Sequence, residues 1–102
     1  MTETHVDPAH AQARELAGQA AFVTGGATGI GLAVSRALAA RGASVAIFAR
    51  NAARAEEAAE AIRKSGGQAH AFAADITRSE AVDAACGQAL TQFGRVDILV
   101  NN

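Results

Sequence analysis

The chain has no tyrosine and no tryptophan, and its four phenylalanines are its only large aromatic residues. Nine Lys/Arg against ten Asp/Glu leave a net charge of −1. Nucleic acid is therefore not an expected partner, because single-strand binding uses aromatic platforms in a cationic groove. One cysteine, Cys86, cannot close an internal disulfide. Its place inside a helical pattern suits a small packed side chain rather than a reactive thiol. His5, His10 and His70 are scattered, with no second ligand at metal spacing, which argues against a metal centre. Charge is missing altogether from Leu16 to Ser35. That length would span a bilayer, but five glycines and several polar residues within it exclude a membrane helix. Glu3 and Asp7 stand where a secretory signal would carry basic residues. The expected setting is soluble, reducing and cytoplasmic.

What is present is organised around Phe22 to Val34. The apolar run Ala20 to Val23 reads as a buried strand, breaks into a turn rich in glycine, and gives way to an amphipathic pattern at Ile30, Val34, Ala37 and Leu38. Such a strand, turn and helix can hold a phosphate, since the first turn of a helix leaves backbone N–H groups unpaired and carries about half a positive charge. Gly25, Gly29 and Gly31 would turn the chain sharply, let a diphosphate approach the backbone and let the helix pack closely on the strand. No lysine follows Gly29 or Gly31, so the pattern is not that of a nucleotide-hydrolysing P-loop.

At 102 residues, half of them apolar, the chain is one small domain at most. Residues 1–17 read as an extension, flexible or a short helix begun at Asp7-Pro8 and closed at Gly18, and residues 18–102 as the folded part. A helix from Ile30 to Arg41 ends at Gly42, and Ser44 to Ala49 is a second apolar strand without polar alternation. Asn51 caps a helix over Ala52 to Ser65, ended by Gly66-Gly67. Gln68 to Ala74 alternates as an edge strand does. Thr77 and Glu80 form a capping box for a helix that Gly94 stops, and Val96 to Val100 is a fourth strand. The fold class is α/β, a doubly wound parallel sheet of order 3-2-1-4, with two helices on one face and one on the other. The ligand crevice is expected where the order reverses, between strands one and four, with the glycine turn and Asn101-Asn102 on either side.

Residue type at the end of the second strand selects the dinucleotide. A carboxylate there accepts the ribose 2′-hydroxyl, whereas an arginine pairs with a 2′-phosphate. Ala49 holds the acidic position and Arg50 follows it, with Arg54 as a second cation, so NADP(H) is favoured over NAD(H).

The spacing Thr24-Gly25-x-x-x-Gly29-Ile30-Gly31 resembles the glycine motif of the short-chain dehydrogenase/reductase family. Ala74-Asp75-Ile76-Thr77 is similar to the family segment after strand three, and Val96 to Asn102 to its lead into Asn-Asn-Ala-Gly. The three occur in order and cover nearly the whole chain from Leu16. The resemblance implies that Gly25 and Thr28, Gly29, Ile30 and Gly31 line the diphosphate and adenosine ribose. It implies that Asp75 and the backbone at Ile76 meet the adenine, that Asn102 approaches the cofactor ribose, and that Asn101 bonds neighbouring backbone. Arg50, from its place after the second strand, and Asn51 beside it are the remaining expected cofactor-binding residues. A basic residue often found in the family's NADP(H) pattern is replaced here by Thr28.

The family transfers hydride between a nicotinamide and a small-molecule carbonyl or secondary alcohol, using a serine, a tyrosine and a lysine beyond the Asn-Asn motif. With no tyrosine, this chain is expected to be inactive alone and to be the truncated, cofactor-binding N-terminal part of a homo-oligomeric reductase. The alternative is a nucleotide-binding module, sensor or subunit without chemistry.

Overall fold

A computed structural model describes residues 15–102. The helix expected from Asp7-Pro8 lies outside the described residues except for its end, where Glu15 to Gly18 form a turn and Gly18 takes φ +85°. From there the order is β1 (Ala20–Thr24), α1 (Gly29–Ala40), β2 (Ser44–Ala49), α2 (Ala52–Lys64), β3 (Gln68–Ala73), α3 (Ser79–Phe93) and β4 (Ile98–Asn101). All three strand pairings are parallel, and the sheet runs β3-β2-β1-β4. This is the expected doubly wound α/β order of a Rossmann-like sheet. Parallel strands require crossovers, and helices fill them.

The pleat divides the apolar residues between two cores. Ala21, Val23, Val45 and Ile47 point to the face covered by α1 and α2, where they meet Ala39, Ala55, Ala58, Ala59 and Ile62. Phe22, Ala46, Phe48 and Phe72 point to the other face and meet Ala85 and Ala89 of α3. Both faces of β1 and β2 are therefore dry, which is why these strands carry unbroken apolar runs. On the α3 side the rings form a chain, Phe22 to Phe48 at 5.4 Å and Phe48 to Phe72 at 5.5 Å, closed by Phe93 edge-on to Phe22 at 6.0 Å. Alanine supplies most of the remaining buried apolar residues, so helices and sheet approach one another closely. On β4, Leu99 is 69 % exposed beside the open edge of the sheet.

Glycine ends each connection as expected, with Gly42, Gly66 and Gly94 at φ +102°, +97° and +79°. The Asn51 side chain caps α2 by accepting the Arg54 N–H at 3.0 Å, worth about 1 kcal/mol. The capping box at Thr77 does not form. Thr77 turns its N–H and its hydroxyl back onto Asp75 Oδ1, at 3.0 and 2.6 Å, and α3 begins two residues later with Arg78 as its N-cap. A carboxylate two residues away is a better acceptor than a distant helix amide, so the local turn wins.

β4 starts at Ile98 rather than at Val96 because Asp97 is engaged otherwise. Its Oδ2 accepts the Ala20 N–H at 2.8 Å, its N–H donates to Ala20 O at 2.9 Å, and Arg95 grips the carboxylate at 2.7 and 2.8 Å. The Arg95 guanidinium, and after it the Ala20 N–H, holds the Asp97 carboxyl below the usual aspartate range. A carboxylate with a depressed folded value stabilises the fold above its ordinary value, and that stability is lost as pH falls through the folded one. Urea midpoints measured from neutral pH to about pH 3 should therefore drop on the acid side, and the drop should be shallower in Asp97→Asn. An equally steep acid limb in that variant would deny Asp97 this role.

Candidate functional site

The C-terminal ends of β1, β2 and β3 open into a cleft of about 770 Å³. One wall is the glycine turn, through Gly25, Ala27 and Thr28; another is Ala49 to Asn51 with Arg54; the third is Ala74 to Thr77. Six of the sequence-predicted site residues line this space: Gly25, Thr28, Arg50, Asn51, Asp75 and Ile76. Gly29, Ile30, Gly31 and Asn102 stand outside it. Gly29 takes φ +56° as α1 begins, Ile30 is 76 % exposed beside it, and Gly31 is buried against the backbone of Gly25.

The cleft lies over β1, β2 and β3, and β4 contributes no residue to its lining. At the switch point between β1 and β4 the Asn102 N–H donates to Thr24 Oγ1 at 3.0 Å, and its Nδ2 reaches Gly25 O at 3.4 Å. Asn101 meets a hydroxyl rather than backbone, since Thr24 Oγ1 lies 3.4 Å from Asn101 Oδ1 and 3.3 Å from Val100 O. Thr24, to which the sequence reading gave no contact, is thus the tie between the glycine turn and the end of β4.

Electrostatically the glycine wall is positive without a cationic side chain. The N-cap of α1, Thr28, is extended at φ −143°, its side chain makes no capping bond, and no acidic residue stands in the first turn. The other two described helices differ, since α2 is capped by Asn51 and α3 has Glu80 in its first turn. The first backbone N–H groups of α1 are thus left for an outside acceptor. Across the cleft, neither Arg50 nor Arg54 forms an ion pair among the described residues. Asp75 forms the third wall, its carboxyl lowered chiefly by the Thr77 hydroxyl, then by the Thr77 N–H, with a smaller contribution from the Arg50 charge. It stays an acceptor at neutral pH. The arrangement offers two separated anion-seeking groups with an apolar floor of Ala27, Ala49 and Ala74 and a hydrogen-bond acceptor beyond them.

The sequence reading missed Ala27 and Thr77 as cleft residues. The Asp-x-Thr spacing, which favours a local turn presenting both residues at one loop, was the available signal for Thr77. Among the described residues no three His, Cys, Asp or Glu come together to hold a metal, and no helix is long and apolar enough to cross a membrane.

A Rossmann-like parallel sheet with a glycine turn opening an uncapped helix defines the dinucleotide-binding class of α/β proteins. The family model described as short chain dehydrogenase matches residues 19–102, and the chain belongs to the short-chain dehydrogenase/reductase family. It is 49% identical over 83 residues to the short-chain dehydrogenase/reductase homolog YusS of Bacillus subtilis (strain 168), covering 80% of this chain and 76% of that one. Over 88 residues it is 44% identical to the hydroxynaphthalene reductase arp2 of Aspergillus fumigatus, covering 85% of this chain but 32% of the relative. A hydroxysteroid dehydrogenase structure from Escherichia coli superposes with a TM-score of 0.84 at 40% identity, over 89% of this chain and 38% of that one. A metagenomic short-chain oxidoreductase solved in complex with NADP gives a TM-score of 0.81 at 40% identity, over 85% and 39%. YusS apart, the chain spans about a third of the length of these relatives.

Proposed function

We propose that residues 18–102 are the cofactor-binding part of an NADP(H)-preferring oxidoreductase acting on a small-molecule carbonyl or secondary alcohol. The observation that carries this reading is the pairing of a helix start without a side-chain cap with two guanidinium groups that form no ion pair among the described residues, across one cleft. An adenosine carrying a 2′-phosphate fits that donor set: Arg50 and Arg54 answer the 2′-phosphate, the amides opening α1 answer the diphosphate, and Asp75 accepts from the adenine amine. Asn51 holds the first turn of α2 beside Arg50, and Gly29, Ile30 and Gly31 set the amides of α1. Asn102 acts from the end of β4 through its bond to Gly25.

When bound, the nicotinamide supplies the hydride chemistry. The residues of this chain bind and orient; with no tyrosine, they do not furnish the phenol that serves the family as acid and base, so the chain by itself is inactive. The parent reductase is taken to be cytoplasmic and homo-oligomeric. The reading is tested by titrating the chain with NADPH and following its thermal transition, since a ligand at a hundred times its Kd adds about 2.7 kcal/mol of stability. An upward shift is expected, and smaller with NADH. No shift at millimolar NADPH rejects the reading.

A second reading, a nucleotide-binding module without chemistry, draws support from the match across 76% of YusS. The gene beyond the codon for Asn102 separates the two. Continuation through a Tyr-x-x-x-Lys segment supports the reductase, and a stop codon supports the module.

A further inference from the structure

Ser35 is the one polar residue in the buried core among the described residues, at zero exposure, in a helix whose other buried residues are Gly31 and Ala39. Its Oγ lies 2.9 Å from Gly31 O, one turn earlier in α1, and 3.2 Å from Gly26 O, in the glycine turn. A hydroxyl has a single proton, and the two carbonyls are not equal claimants. Gly31 O lies within the α-helical ladder, where it faces the Ser35 N–H. Gly26 O receives no backbone N–H among the described residues, and a buried carbonyl left without a donor is costly. The proton is best used on Gly26.

That contact sets the orientation of a peptide plane. The chain has no cis bond among the described residues, and a trans peptide holds its C=O and the following N–H on opposite sides. With the Gly26 carbonyl drawn inward under α1, the Ala27 N–H is turned to the other side, where Ala27 lines the cleft. No protein acceptor among the described residues takes that N–H. The Gly26–Ala27 plane has glycine on its N-terminal side, whose ψ no side chain restricts, so the turn has little steric means of holding this orientation by itself. The space is also matched, since a Cβ built on Gly26 would stand 2.8 Å from Ser35 Oγ.

We propose that Ser35 is a positioning residue for the phosphate-binding turn: its buried hydroxyl anchors the Gly26 carbonyl and thereby presents the Ala27 N–H to the cofactor diphosphate. The proposal rests on the functional reading above and adds to it a residue that never touches the ligand.

The test compares NADPH with adenosine 2′-monophosphate, which has the phosphate facing Arg50 but no diphosphate, by NMR titration of the full chain. In Ser35→Ala, NADPH affinity is expected to fall about tenfold, the scale of one charge-assisted hydrogen bond, while the monophosphate binds within about twofold of wild type. Ser35→Cys keeps the volume with a much weaker donor and should give the same split. Equal weakening of both ligands, an unchanged NADPH affinity, or failure of both variants to fold would overturn the proposal by making the hydroxyl structural only. A wild-type chain that binds neither compound rejects the functional reading and this inference with it, whereas tight wild-type binding with indifferent variants rejects Ser35 alone.

Discussion

Arg50→Asp is expected to reverse the coenzyme preference, lowering NADPH affinity about 100-fold while NADH stays within about threefold of the wild type, because each hydrogen bond between charged groups is worth about 1.5–3 kcal/mol and each 1.4 kcal/mol is a factor of ten. Arg50 follows β2 on the cleft wall, exposed and without an ion pair among the described residues, so its charge is available to a ligand. The substitution removes that charge and sets a carboxylate against a phosphate dianion, while the same carboxylate can accept the 2′-hydroxyl of NADH. Arg54 remains and keeps some NADPH binding, so Arg54→Ala added to Arg50→Asp should lower it further. Paired titrations with the two coenzymes measure the ratio directly. A parallel loss for both would move the 2′-phosphate away from Arg50.

Gly31→Ala should be the most damaging single methyl in the turn. A Cβ at that position would lie 1.9 Å from Gly25 O and 2.7 Å from Gly25 C, and 2.8 Å from Asn102 Nδ2. Two of these atoms are backbone and cannot step aside, so α1 and the turn must separate. The expected loss is about 3 kcal/mol or more by urea denaturation, at the upper end of what overpacking costs. Gly87→Ala is the matched control. Gly87 is exposed inside α3 with nothing within 4 Å of an added Cβ, so it should gain about 0.5–1 kcal/mol from better helix propensity. Similar midpoints for the two variants would mean that the close approach of Gly25 to Gly31 is not rigid.

The architecture was legible because its strongest signals are local. Ala20 to Val23 and Val45 to Ala49 are apolar without a break, which only a sheet covered on both faces demands, and each helix ends at a glycine that takes positive φ. Two residue choices were not legible in the same way. The Thr77 to Glu80 spacing satisfies the capping pattern as written, but the pattern does not know that Asp75 stands nearer and accepts both Thr77 donors. Ser35 looks like a neutral member of an apolar helix until the turn folds over it and supplies a buried carbonyl. The site divides along the same line. Arg50, Asn51, Asp75 and Ile76 follow strand ends, whose position the strands dictate, and they line the cleft. The bonding of Asn102 to Thr24 and Gly25 depends on the pairing of β1 with β4, which no local signal in the chain spells out.

The alanine-lined interior also fixes which way this protein can drift. A core of leucines and phenylalanines fails mainly by truncation, whereas Ala21, Ala43, Ala46, Ala55, Ala59, Ala69 and Ala89 have almost nothing to lose. Nearly every substitution at these positions is an enlargement pressed against a neighbouring backbone. In a saturation scan such sites should tolerate glycine and serine far better than valine or leucine, inverting the usual hierarchy in which hydrophobicity predicts survival.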